Sequence, residues 1–325
     1  MRATLGTPLS PWSRRLWTTA QVAAFGVTLA VVAGLFLAPD VTLRLAWYGI
    51  VPLLPAVFLL NAGLWRGVCP IASANTFRSN DRGRPMSTRV LNILWMAGIG
   101  LLLVLIPLRH VLLNVNGPAL GGLLVLIVGA AFASGWFVRA KGGFCNSICP
   151  ILPVEKLYGQ HPLIHVRNPR CVPCTLCSTK GCMDIDTLKA VHTVSRRGSG
   201  PGSRTGSGAR SWLRTPMGLF AAVLPGVIVG YFLVDDVPSS STLEIYGTVL
   251  GMGAASLVVL AAPIGLVNPA PRLVAPLLAA LSAGLYYWFA APASVAAFGG
   301  GAVLGLVVRG AFLALVVVWL VRALR

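Results

Sequence analysis

The chain has 325 residues, 56% of them hydrophobic and 10% charged, with a mean hydropathy of +0.80. Soluble domains carry about 25% charged residues, so a soluble globular protein is excluded and a polytopic membrane protein is expected. The formal charge of +18 does not point to nucleic acid, because no basic run is interleaved with aromatic residues. In a membrane chain an arginine excess first marks the loops.

Arg14 and Arg15 precede an apolar stretch of spanning length, which reads as a first transmembrane helix and not as a cleavable signal. Eight apolar segments reach or approach the length needed to cross about 30 Å of hydrocarbon. They lie at 17–38, 45–64, 90–108, 118–138, 216–234, 244–267, 273–291 and 297–321. Pro52 and Pro55 interrupt the second and predict a kink there.

Charge sets the orientation. Of the 26 Lys and Arg residues, 23 fall at the termini or in the loops on one side, twelve of them in the loop after the fourth span. Arg44 and Arg109 lie on the other side, and Arg309 lies within the last span. This bias places both termini and all seven cysteines in the cytoplasm of a bacterial-type inner membrane. Thiols stay reduced there, which suits metal ligands and argues against disulfides.

Six of the seven cysteines fall between Cys145 and Cys182. Cys171, Cys174 and Cys177 have C-x2-C-x2-C spacing, which brings three thiolates around one small object, as in the chain that holds three corners of an iron–sulfur cubane. Zinc is the alternative for this run, but zinc sites usually take two separated ligand pairs. The fourth cysteine of a ferredoxin run follows three residues later with a proline after it. Here Cys182 follows after four, and Met183 stands in the proline's place.

A weak repeat runs through the first half with an offset of 80 residues. Leu64-Trp65-Arg66-Gly67-Val68-Cys69-Pro70-Ile71 aligns with Phe144-Cys145-Asn146-Ser147-Ile148-Cys149-Pro150-Ile151, so that Cys69-Pro70 matches Cys149-Pro150 and Trp65 stands where Cys145 stands. Each unit is a helix pair followed by a cysteine–proline turn on the same side. A proline fixes φ and removes a donor, which turns the chain away from a liganding cysteine. Alone, Cys69 would read as an inert buried thiol. Two units packed side by side would instead bring it near Cys145 and Cys149.

Paired cysteine–proline turns followed by a ferredoxin-type run resemble the membrane-bound ferredoxin family, which includes the quinol-oxidising subunit of periplasmic nitrate reductase systems and the membrane maturation protein of nitrous oxide reductase. Phe144–Pro150 and Cys171–Asp186 carry the resemblance, which covers about residues 45–190. It implies that Cys69, Cys145, Cys149, Cys171, Cys174, Cys177 and Cys182 hold one or two [4Fe-4S] clusters that relay electrons at the cytoplasmic face. The chain departs from the family at Trp65, at the Cys177–Cys182 gap, and in lacking a second ferredoxin run.

The expected architecture is therefore all-α, with about eight transmembrane helices and a small cytoplasmic ferredoxin-like iron–sulfur module. Residues 1–138 form a first four-helix half with its cysteine–proline turn at 65–71, and 139–194 the cysteine-rich module. Residues 195–215 are a basic Gly/Ser linker, expected to be disordered, and 216–325 form a second, cysteine-free half. Two [4Fe-4S] clusters want eight cysteines, and the chain has seven. A non-cysteine ligand, a three-iron cluster or a single cluster would each resolve the count. His161 and His165 are candidates for the missing ligand, with polar surface histidine as the plainer reading. Arg309 could meet a quinone oxygen or helix carbonyls, or snorkel, and the structural reading is favoured.

The functional expectation is electron relay between a quinol or soluble donor and a partner redox protein. A non-redox metal-binding or assembly protein whose cysteines hold zinc or deliver a metal is the first alternative. A degenerate relative that transports a small solute is the second, weakened by the absence of acids inside the predicted spans.

Overall fold

The computed structural model describes residues 10–77, 88–138, 143–164, 166 and 208–325. These are almost wholly helical, with no strand among them. In chain order the helices are α1 (Pro11–Leu37), α2 (Pro39–Val68), the short α3 (Pro70–Asn75), α4 (Thr88–Leu108, continued as a π-helix over Arg109–Leu113) and α5 (Gly117–Phe137). The short α6 (Leu152–Tyr158) and α7 (Ala209–Leu213) precede α8 (Pro216–Phe232), α9 (Thr242–Val267), α10 (Pro271–Ala297) and α11 (Ala302–Leu324).

Local chemistry marks their starts. Proline opens α1, α2, α3, α8 and α10 at a position whose N–H would have no partner within the helix. Ser10, Asn116, Thr215 and Ser241 cap α1, α5, α8 and α9 with side-chain oxygens. Ser241 and Glu244 close a reciprocal capping box.

Seven of these helices are long and apolar enough to cross a membrane, which fits the polytopic expectation. The fifth predicted span is shorter than expected. Helix α8 has 17 residues, about 25 Å at 1.5 Å per residue, because the chain leaves the helix at Leu233 ahead of Asp235 and Asp236. Gly218, Ala222, Gly226 and Gly230 recur every fourth residue along it and are buried. Gly226 and Gly230 lie so close to the α9 backbone at Met252 and Val249 that a methyl group would collide with it. This is the small-residue contact by which membrane helices approach closely.

The second span departs from the proline-based expectation. Pro55 lies inside α2 without breaking it, and the residues before Pro52 form a wider π-turn over Leu45–Ile50. The break falls at Asn61, which has φ −172° and ψ 115°. Its buried side chain replaces part of the lost ladder: Oδ1 accepts the Gly63 N–H at 2.7 Å and Nδ2 donates to the Ile164 carbonyl at 2.8 Å. The Leu59 and Leu60 carbonyls, released by the break, accept the N–H groups of Leu163 and Ile164. An asparagine that satisfies the backbone on both sides of a break is a more effective helix interrupter here than either proline.

One large core joins the helices before and after the central loop. Phe58 and Leu59 of α2, Leu157 and Tyr158 of α6, Trp212 of α7, Phe220 of α8, Tyr287 of α10 and Trp319 of α11 are all buried in it. Tyr287 donates to the Pro52 carbonyl at 3.0 Å and Tyr158 to Ser282 Oγ at 3.2 Å, so the hydroxyls of these two core tyrosines have partners. Val258, Val259, Leu304, Leu306 and Val307 point outward and are exposed, the pattern of a surface solvated by lipid.

Candidate functional site: the paired cysteine–proline turns

Helix α2 ends where Cys69 turns out of it, with φ −52° and ψ 123°. The Cys69 N–H still donates to the Trp65 carbonyl at 2.7 Å, and Pro70 opens α3. In the second unit the turn is built on one carbonyl. Phe144 O accepts the N–H groups of both Ser147 and Cys149 at 3.1 Å, and Ser147 Oγ donates to Gly143 O at 2.8 Å. Pro150 then leads into α6 as Pro70 leads into α3.

Each turn rests on the first helix of its own unit. Gln21 of α1 donates to the Gly67 carbonyl at 2.9 Å, and Gly67 lies under the Trp17 ring. Gly98 of α4 lies against the backbone of Ile148 and Cys149. The supports at 17 and 98 differ by nearly the same offset as the turns, so the repeat is one of structure as well as of sequence.

The two turns meet. Cys69 and Cys145 are buried and Cys149 is half-buried, and all three belong to one apolar cluster with Ala72, Ala131 and Phe144. Beside it, Arg66 is 3% exposed. Its Nη1 pairs with Glu155 Oε2 at 2.5 Å, and its Nη2 donates to Asn146 Oδ1 at 2.6 Å across 80 residues of sequence. Arg66 thus ties the first turn to the second turn and to α6. A charge so deeply buried persists only when paired and hydrogen-bonded.

Burial pushes the Cys149 thiol up to about 12, with the negative charges of Glu155 and Cys69 acting in the same direction. A backbone hydrogen bond at Ile151 and the Arg66 charge offset part of this. Without a bound cation the Cys149 sulfur is therefore a neutral thiol, and liganding it means releasing a proton.

Two buried N–H donors near the turns have no acceptor among the described residues, Asn146 Nδ2 and Trp95 Nε1. Trp95 and Cys149 pack against the same pair, Ala62 and Leu152. No group of three or more His, Cys, Asp or Glu among the described residues is disposed to hold a metal ion. The ferredoxin-type run of Cys171, Cys174, Cys177 and Cys182 lies outside the described residues, as do His165, His192 and the 195–207 stretch of the linker. His161 lies edge-on to Trp319 of α11, ring centroids 6.5 Å apart.

Sequence reading missed Arg66, Asn146 and Glu155 as a unit. In the sequence Arg66 is one arginine among many. Glu155, one of only eight acidic residues, was the available signal, since a lone carboxylate beside a cysteine–proline turn needs a partner. Arg309 also has a neighbour the sequence did not reveal: its guanidinium lies 4.6 Å from the Trp288 ring centroid on α10, a cation–π contact, while Nε is buried without a hydrogen bond.

A second polar cluster occupies the opposite end of the helices. The Arg109 guanidinium lies 3.8 Å from the Trp47 ring centroid and 4.7 Å from that of Tyr231. His110 reaches Asp236 and the Tyr231 carbonyl, and Asn114 Nδ2 donates to Asp236 at 2.7 Å. A groove of about 1020 Å³ opens beside it, lined by Asp40, Arg44, Tyr48 and Asp236 among others. Helix α5, with 21 residues, separates this end from the cysteines by about 30 Å, so the two clusters do not share a ligand. Compared with family models, with curated proteins and with solved structures, the chain finds no match in any of the three.

Proposed function

We propose that the protein is an inner-membrane iron–sulfur electron carrier. Cys69, Cys145 and Cys149 of the paired turns, together with Cys171, Cys174, Cys177 and Cys182, would be the thiolate ligands of one or two [4Fe-4S] clusters. The observation that carries this reading is the meeting of the two turns: Cys69 shares a buried cluster with Cys145 and Cys149.

The donor set suits such a group. Three thiols lie in an apolar shell that keeps water away, beside the buried Arg66–Glu155 pair. Zinc suits the C-x2-C-x2-C run less well, because zinc sites usually take two separated ligand pairs. When bound, the cluster would supply reversible one-electron transfer. The chain's own residues do the rest. Pro70 and Pro150 direct the backbone away from the cysteines, and Arg66 fixes the spacing of the turns. The Phe144, Ala72 and Ala131 side chains exclude solvent. In this reading the cysteines face the cytoplasm, the donor is a quinol or a soluble carrier, and the acceptor is a partner redox protein.

Anaerobic purification with iron and acid-labile sulfide analysis and EPR tests the reading. Wild type should contain both elements and show a cluster signal on reduction. Cys174→Ala should lose most of it. Cys69→Ala should lower iron and sulfide, or convert the signal to a three-iron form, with normal membrane insertion. Zinc in place of iron in wild type would establish the metal-assembly alternative, and an unchanged Cys69→Ala protein would remove the first turn from the site.

A further inference from the structure

The orphaned donors around the turns suggest what the turns hold in more detail. The Asn146 amide has a fixed orientation, because Arg66 can only donate and must therefore face Oδ1. Nδ2 is then the atom left buried without an acceptor. Trp95 presents the same situation, since its indole N–H can only donate and is also buried without a partner. Leaving such a group unsatisfied is costly, and native structures rarely do so. Two occur in the shell of the same three cysteines, one adjacent to Cys145 in sequence and the other packed with Cys149 on Ala62 and Leu152. Both are donors, so the partner that these two lack is an acceptor.

We infer that Asn146 Nδ2 and Trp95 Nε1 are hydrogen-bond donors to the sulfur atoms of the group held at the turns, and that they raise its reduction potential. The inference rests on the iron–sulfur reading above. Reduction adds negative charge to a cluster, and N–H groups aimed at its sulfurs stabilise the reduced form more than the oxidised one. Both residues are positioning residues and ligate nothing. Arg66 holds one donor in place through Oδ1. The other is carried on α4, the helix that also supports the second turn at Gly98.

The test uses purified full-length protein and EPR-monitored redox titration. Trp95→Phe keeps the ring and removes only the N–H. Asn146→Asp keeps the acceptor for Arg66 and removes the donor while adding a charge, and Asn146→Leu removes the donor without one. Each should bind wild-type iron and lower the midpoint potential of the cluster, and the double variant should lower it further. Asn146→Gln, which restores a donor, should lie nearer to wild type than Asn146→Asp. Unchanged midpoints in iron-replete Trp95→Phe and Asn146→Asp overturn the inference and leave the iron–sulfur reading intact. An iron-free wild type overturns both. If either variant fails to assemble, wild type labelled with ¹⁵N at asparagine and tryptophan decides by pulsed EPR. Hyperfine coupling from both side-chain nitrogens upholds the inference, and its absence overturns it.

Discussion

His110 stands between two acceptors, with Nδ1 2.6 Å from Asp236 Oδ1 and Nε2 2.9 Å from the Tyr231 carbonyl oxygen. A carbonyl cannot donate, so Nε2 donates to Tyr231, and Nδ1 shares a hydrogen with the Asp236 carboxyl. Burial alone would push the Asp236 carboxyl up. Hydrogen bonds from His110 and Asn114, with the charges of His110 and Arg109, outweigh it and hold the group below the usual carboxylate range. The pair joins α4 to the loop after α8 and so fastens helices from either side of the central loop at the end remote from the cysteines. Asp236→Ala should cost about 1–2 kcal/mol, near the low end for a buried charged hydrogen bond because Asp236 is partly exposed. A group with a depressed pKa stabilises the fold above its unfolded pKa and loses that effect as pH falls through the folded value. Wild type should therefore lose stability below about pH 4, and Asp236→Ala should lose less. Thermal unfolding in detergent between pH 3 and 7 measures both.

The Arg66–Glu155 pair makes a prediction about coupling. Removing either member alone strands a buried charge, at a cost of about 3–5 kcal/mol. Replacing both, as Arg66→Met with Glu155→Leu, should cost clearly less than the two single changes combined. A double-mutant cycle on melting temperatures in detergent gives the coupling. Additive effects would mean that the two charges do not act as a pair.

Cys149 predicts a pH dependence displaced from that of an unfolded thiol. Alkylating agents attack the thiolate, and the Cys149 thiol is pushed up to about 12. In metal-free protein, iodoacetamide should modify Cys149 far more slowly at pH 8 than it modifies an unfolded thiol, and the rate should rise steeply above pH 10. Glu155→Gln removes one of the charges that hold the thiol up and should speed the reaction. The same shift makes stability fall as pH rises from about 9 toward 12, because the unfolded thiol ionises first. Peptide-resolved mass spectrometry of alkylation kinetics is the measurement.

The arginine asymmetry predicts topology. Reporter fusions after Arg197 should report the cytoplasm, and fusions after Asp236 the opposite side, since α8 lies between them. The reverse pattern would overturn the orientation and the argument for reduced cysteines that depends on it.

Much of the helix inventory was legible because it follows from hydropathy alone, which is a local property. The approach of Cys69 to Cys145 and Cys149 was legible for a different reason: a repeated Cys-Pro register implies repeated geometry, and two such units have few ways to pack. Pairings between distant polar residues were not legible. Arg66 finds Glu155 across 89 positions and His110 finds Asp236 across 126, and nothing local in the sequence marks either. Asn61 escaped notice because breaking a helix there depends on Ile164, whereas Pro52 and Pro55 carry their effect in their own rings.

The break at Asn61 also sets a tether. Leu163 and Ile164 are hydrogen-bonded to Leu59, Leu60 and Asn61, and Arg322 donates to the Leu163 carbonyl at 2.7 Å. The chain therefore leaves for Cys171 from a fixed point on the helix that ends at Cys69. Cys171 is seven positions after Ile164, so even fully extended the chain between them reaches only about 25 Å. Leu60 is nine residues before Cys69, about 13 Å along a helix. The first turn thus lies within the reach that covalent length alone allows between Ile164 and Cys171, whatever path the chain takes between them.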